Sequence, residues 1–358
     1  MLLACTSSYC LKGMTYPMRK AGLSLLVILV LLMTLSLTFL LPSGAITEDA
    51  QDYYDELLMD EEEYEGFGAS VRPKPIAVLA SAVFSDILPS SLVDPLPIDR
   101  TVPGNTPIAE NFTENGYRDE SIIVELDKQR MYDSDVYIAY IKVATPSQLR
   151  TAIAGSKLSS DRTNLPTAMA SNYNAVVAIN GDFYSMVATG YITRMGESGR
   201  EKPSKTMDLL WIDELGDFHI IPNGADGQKT AMKEFLSKHE LINGFAFGPG
   251  LVVDGKKQEL RENSWDHAVY TEPRAGIGQL DTLTYVLVVV NGRESSTEGV
   301  SIEQFADIMY QLGCKQAYNL DGGNSATLVF NGEIFNTKSA DERKVQDIIY
   351  FASAADGE

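Results

Sequence analysis

The sequence predicts an α+β fold: a mixed β-sheet core with flanking helices, in a single catalytic-type domain. Three observations predict it. Strand-like segments outnumber helical ones, and many follow one another without a helix between them, which argues against a regular βαβ alternation. The runs AVVAIN (175–180) and LTYVLVVV (283–290) carry no polar face and suit strands buried on both sides. Helical periodicity is confined to short segments, clearest in SIEQFADIMYQLG (301–313).

Taken from the N-terminus, the first feature is Arg19-Lys20 followed by AGLSLLVILVLLMTLSLTFLL, residues 21–41, which carries no charge. Its length approaches the ~30 Å thickness of a bilayer's hydrocarbon core. Basic residues precede it and acidic ones follow, so the rest of the chain is expected outside the membrane. Ser43-Gly44-Ala45 offers a cleavage site of small residues. Residues 1–45 therefore read as a signal peptide, with secretion after cleavage near Ala45, or as a retained single-span anchor. Between Glu48 and Glu65 there are ten acidic residues and no basic one, the composition of a solvated spacer. Residues 66–110 are richer in proline, and 46–110 as a whole is expected to be a disordered linker; within it IAVLASAVF (76–84) has the texture of a short helix.

The folded domain is expected at 111–358. SIIVEL (121–126) and DVYIAYIKVA (135–144) read as strands, rich in β-branched and aromatic residues. Pro146 is expected to open a helix, PSQLRTAIAG, closed by Gly155. In 301–313, Ser301 and Gln304 form a capping box and Gly313 a C-cap. Ile302, Phe305, Ile308, Met309 and Leu312 make one apolar face for packing on the sheet.

The net charge of −20 excludes a nucleic-acid partner, since phosphate neutralisation needs clustered Lys and Arg. Cys5, Cys10 and Cys314 match neither a disulfide framework nor a metal spacing. His219, His239 and His267 are scattered, with no HExxH, so no zinc site is predicted. Trp211 and Trp265 suit either the core or the wall of a cleft.

The chemistry-bearing residues fall just after buried strands. AVVAIN ends on Asn180 and is followed by Gly181-Asp182, Asn291-Gly292-Arg293 follows Val290, and Asp321-Gly322-Gly323 follows KQAYNL. Each is an ordinary turn by itself. Three at strand ends, each with a polar side chain and a glycine that lets a ligand approach the backbone, point to a site.

The ordered set AINGDFY (178–184), FGPGLVVDG (247–255), EPRAGIG (272–278), VVVNGR (288–293), NLDGGNSATLVFNG (319–332) and ERKVQDIIYF (342–351) resembles the phosphodiester glycosidase family over roughly residues 112–355. Ala275 and Asn324 stand where members of that family commonly carry Thr and Gly. The resemblance implies cleavage of the bond between a sugar's anomeric carbon and a phosphodiester oxygen.

Such a substrate is an anion, and bidentate guanidinium groups suit it. Arg274 and Arg293 occupy motif positions, with Arg194 and Arg343 as further candidates. Glycosidases commonly use two carboxyls. Asp182 and Asp321 are the expected pair, with Glu272 in reserve. Asn180, Gly181, Asn291, Ser325 and the Gly322-Gly323 amides are expected to hold phosphate or sugar oxygens. No cofactor is required; Ca²⁺ or Mg²⁺ held between Asp182, Asp321 and the phosphate is compatible with these donors. The expected substrate is a glycosyl phosphodiester in envelope glycan or exopolysaccharide, and the expected membrane contact is 21–41. The alternative on the same fold is a non-catalytic module that binds or assembles envelope polysaccharide.

Overall fold

A computed structural model describes residues 93–259, 269–337 and 341–355. All belong to one unit of the chain, Ser70–Glu358. Its strands in chain order are β1 (Phe112–Thr113), β2 (Gly116–Arg118), β3 (Ile122–Met131), β4 (Ser134–Val143), β5 (Leu149–Ile153) and β6 (Ala175–Asn180), with helix α1 (Pro166–Asn172) before β6. Next come β7 (Gly190–Arg194), β8 (Glu197–Lys202), β9 (Leu209–Asp213), β10 (Phe218–Ile221), helix α2 (Ala225–Phe235), β11 (Leu241–Ala246), β12 (Gly250–Val253) and β13 (Lys256–Lys257). The chain ends with β14 (Arg274–Asp281), β15 (Thr284–Val290), helix α3 (Ile302–Gln311), β16 (Gln316–Leu320), β17 (Leu328–Phe330), β18 (Glu333–Ile334) and β19 (Asp347–Ala352).

These strands form three sheets. A nine-stranded sheet runs β1-β2-β3-β4-β15-β14-β16-β12-β13; five-stranded sheets run β10-β9-β11-β7-β8 and β18-β17-β6-β19-β5. The expected α+β class therefore holds, dominated by sheet. The expected mixed pairing does not: β4, β15, β14 and β16 pair antiparallel throughout, as do β17, β6, β19 and β5. Hairpins such as β3–β4 and β14–β15 impose this. Each helix crosses between two parallel-running strands but leaves an antiparallel strand between them: β5–α1–β6 around β19, β10–α2–β11 around β9 and β15–α3–β16 around β14.

The apolar runs are buried on both faces. In β15, Tyr285, Leu287 and Val289 face the core between the sheets, while Val286, Val288 and Val290 face the cluster built on α3. The α3 capping box forms as expected, with the Gln304 amide donating to Ser301 Oγ at 3.2 Å, and Gly313 takes φ +82°. Phe305, Ile308 and Met309 are fully buried beneath it.

Two expectations are corrected. The helix expected over 146–155 is a 3-10 turn, Pro146–Gln148, followed by strand β5. Thr145 and Gln148 do make a capping box, but the next residues gain more by pairing with β19, register Leu149↔Phe351 to Ile153↔Asp347. The domain also starts before residue 111. Val93 and Leu96 are buried against β5, β6 and β19. Arg150, itself fully buried, donates to the carbonyls of Pro97, Asp99 and Val102 and holds this segment down. Among the described residues no helix is long and apolar enough to cross a membrane; the run 21–41, the acidic spacer and the short helix at 76–84 lie outside them.

Candidate active site

Antiparallel register gathers the motifs at one end of the large sheet. In β14, Arg274 lies opposite Val290 of β15, and Ala275 opposite Leu320 of β16. The residues just past β15 and β16 (Arg293, Asp321) thus emerge beside the residues just before β14 (Glu272, Pro273). The end of β6 joins from the neighbouring sheet. Asn180 Nδ2 donates to the Asp321 carbonyl at 2.7 Å, and the Asp321 amide donates to the Gly181 carbonyl at 3.3 Å.

There a cavity of about 290 Å³ opens. Seven of the residues expected at the site line it: Glu272, Arg274, Arg293, Asp321, Gly322, Gly323 and Arg343. Phe183, Phe247 and Pro249 supply an apolar wall, with the two phenyl rings edge to face at 4.9 Å. Three guanidinium groups and two carboxyls therefore face one cavity in a chain of net charge −20.

Each charged group is held. Arg274 is buried; its Nε donates to the Val300 carbonyl at 2.9 Å and an Nη to the Tyr270 carbonyl at 2.8 Å. Burial pushes it down to about 10, against the pull of Glu272, and it remains a cation at neutral pH. Arg293, in a left-handed conformation (φ 64°), pairs with Glu272 and donates to Asn324 Oδ1 at 3.1 Å. Asp321 is pushed upward by burial and by the charge of Asp182, against the hydrogen bond from Ser325 and the charge of Arg343.

The paired glycines serve the loop rather than a ligand's oxygens. A Cβ on Gly322 would stand 2.6 Å from the Pro273 carbonyl, which also accepts the Gly323 amide at 2.8 Å. The Gly322 amide bonds the Asp321 carboxylate. Both expected oxyanion donors are thus committed within the chain.

The other expected residues lie behind the cavity wall. Asn180 is spent on the Asp321 carbonyl and the Thr327 amide. Asn291 binds Asn336 and the Thr337 carbonyl. Ser325 is buried beneath Asp321. Arg194 is fully buried between Asp182 and Asp347, at 2.7 Å and 2.6 Å, and stacks on Phe245. Asp182 Oδ2 also accepts the Ala246 amide at 2.9 Å. Asp182 therefore lies outside the lining with its charge already paired to a guanidinium, which makes it a poor donor for the hard cation considered between it and Asp321.

Two residues were not anticipated. Asp347 completes the buried trio. Burial pushes it up to about 7, against the pull of Arg194 and with the help of Asp182. Asp182 is raised for the same reason, so the cluster favours two carboxyls sharing one proton beside one cation. The available signal was a carboxylate opening an otherwise apolar run, DIIYFA. Gly181 is required here, since a Cβ would stand 2.3 Å from Asp347 Oδ1. The second is Asn319, nearly fully buried in the lining; its Nδ2 donates to the Gly248 carbonyl at 2.8 Å, while its Oδ1 has no hydrogen-bond partner. An orphaned acceptor in a cavity wall suits a ligand hydroxyl.

The β-rich scaffold thus holds an apolar-walled cavity lined by three guanidinium groups and two carboxyls, groups suited to an anionic organic ligand. The phosphodiester glycosidase family model matches residues 173–352, and the chain belongs to this family. The chain is similar to the SPbeta prophage-derived uncharacterized protein YomE of Bacillus subtilis (strain 168), 33% identical over 124 residues, a stretch covering 34% of this chain and 19% of that protein. Among solved structures it is similar to the zebrafish N-acetylglucosamine-1-phosphodiester alpha-N-acetylglucosaminidase catalytic domain auto-inhibited by its pro-peptide, with a TM-score of 0.52 and 16% identity over 70% of this chain and 87% of that one. This likeness shows the shared fold. A hypothetical protein from Synechocystis is similar at a TM-score of 0.46 and 16% identity, over 64% of this chain and 62% of that one.

Proposed function

We propose that this protein is an extracytoplasmic hydrolase that cleaves the glycosidic bond of sugar-1-phosphodiesters in envelope glycan or exopolysaccharide. The observation that carries the reading is Asp321: a carboxyl raised by burial, facing the same cavity as Arg274, Arg293 and Arg343. The guanidinium groups bind the phosphodiester and the phosphate that departs from it. Phe183 and Phe247 give the sugar ring an apolar wall, and Asn319 Oδ1 accepts one of its hydroxyls.

Asp321 acts at the anomeric carbon. As a base with raised proton affinity it takes a proton from water; the water oxygen bonds to the anomeric carbon, and the bond to the phosphodiester oxygen breaks. A free sugar and a phosphomonoester result. The departing phosphate is a good leaving group, which lessens the need for a second carboxyl as acid. Glu272 takes the place first assigned to Asp182: it faces the cavity and holds Arg293.

Incubation with a panel of sugar-1-phosphodiesters tests the reaction, and release of sugar together with phosphomonoester is expected. Binding without release would replace the enzyme by a polysaccharide-binding module. The outside location is supported by the basic flank and uncharged run at 19–41. Protease applied to cells with a permeable wall should degrade the domain; recovery from cytosol with 21–41 intact would contradict it.

A further inference from the structure

The three histidines looked unrelated in the chain, yet folding brings two of them to one carboxylate. Asp213 ends β9, and its buried Oδ2 lies 2.8 Å from His219 Nε2 on β10 and 3.2 Å from His239 Nδ1 in the turn after α2. The carboxylate oxygen and the two ring nitrogens all lie within 4.8 Å of one another. Glu214 Oε1 stands 3.7 Å from the same His239 nitrogen, at the more exposed rim.

The surroundings fix these donors. Asp213 Oδ1 accepts the Leu215 and Asp217 amides, each at 2.9 Å, which leaves only Oδ2 for the imidazoles. Phe235 meets the His219 ring edge on at 5.0 Å and lies beside the His239 ring at 5.3 Å. Hydrogen bonding does not account for the whole cluster. His219 Nε2 bonds Oδ2, but His239 Nδ1 is buried without a hydrogen-bond partner despite its approach to the same oxygen. A cation at the centre would satisfy all three donors. Tetrahedral zinc, with bonds near 2.0–2.1 Å, spaces its ligands roughly 3.4 Å apart, somewhat wider than the two oxygen–nitrogen separations of 2.8 Å and 3.2 Å here.

We propose that Asp213, His219 and His239, with Glu214 at the rim, form a binding site for a zinc-class divalent ion. Two imidazoles with a carboxylate select a transition ion over Ca²⁺ or Mg²⁺, which favour all-oxygen sets. None of these residues lines the cavity of the proposed reaction, so the site does not depend on that reading. Bound there, the ion would tie the end of α2 to the β9–β10 hairpin.

The test is calorimetric titration of chelator-treated, full-chain protein with ZnCl₂, alongside His219→Ala, His239→Ala and, as a control outside the cluster, Lys229→Ala. Wild type and Lys229→Ala should bind one equivalent, and each of the other two variants should lose about tenfold or more in affinity. MgCl₂ in place of ZnCl₂ should give no saturable heat. Circular dichroism establishes that the variants are folded. Absence of saturable zinc binding by wild type, or equal affinity in wild type and both cluster variants, overturns the proposal.

Discussion

Replacing Arg194 by methionine removes the one cation of the buried trio while keeping much of its volume. The guanidinium is fully buried. It donates to Asp347 Oδ2 through Nε at 2.7 Å, to Asp182 Oδ1 through Nη2 at 2.7 Å, and to the Thr193 and Gly244 carbonyls through Nη1. After the substitution Asp182 keeps the Ala246 amide, but Asp347 Oδ1 has no hydrogen-bond partner to begin with. Removing one partner of a buried ion pair costs about 3–5 kcal/mol, because a charge is left uncompensated. The assay is urea unfolding at pH 7 and pH 5. Arg194→Met should lose that amount at pH 7 and less at pH 5, where protonation neutralises the stranded carboxyls. Asp347→Asn in the Arg194→Met background should recover part of the loss. A loss below about 1 kcal/mol, unchanged between the two pH values, would refute the reasoning.

Three further outcomes follow from the same geometry. An acid whose pKa rises on folding binds its proton more tightly in the native state. With Asp347 raised from 3.8 to about 7, its contribution is fully present below about pH 4 and is lost as pH rises towards 7, which urea midpoints of wild type and Asp347→Asn across that range should show. Gly322→Ala places a Cβ 2.6 Å from the Pro273 carbonyl and should cost about 1–3 kcal/mol in urea unfolding as well as activity, since Asp321 moves with the loop. Arg274→Ala should raise KM and lower kcat together in steady-state assays, because in the proposed reaction this buried cation holds the phosphate before and during bond cleavage.

What was legible in the sequence was legible for local reasons. AVVAIN and LTYVLVVV became β6 and the body of β15 because nothing polar in them tolerates an exposed face. The α3 cap was readable because Ser301 and Gln304 interact within one turn. The motif glycines marked the right sheet edge for Glu272, Arg274, Arg293 and Asp321. What escaped depends on distant partners. Leu149–Ile153 has helical texture, and only pairing with β19, some two hundred residues on, makes it a strand. Arg194 looked like a phosphate ligand because its two carboxylate partners, Asp182 and Asp347, belong to other strand ends. His219 and His239 form no motif and meet only through the β9–β10 hairpin and the turn after α2.

The most direct test of the proposed chemistry is turnover and binding of Asp321→Asn on a sugar-1-phosphodiester that wild type cleaves. The substitution keeps the size of the side chain and most of its hydrogen bonds while removing the base. With Asp321 acting at the anomeric carbon, kcat should fall by about 10² or more while substrate affinity, carried by Arg274, Arg293 and Arg343, stays close to wild type. Full turnover by Asp321→Asn, with Glu272→Gln inactive instead, would contradict the role given to Asp321.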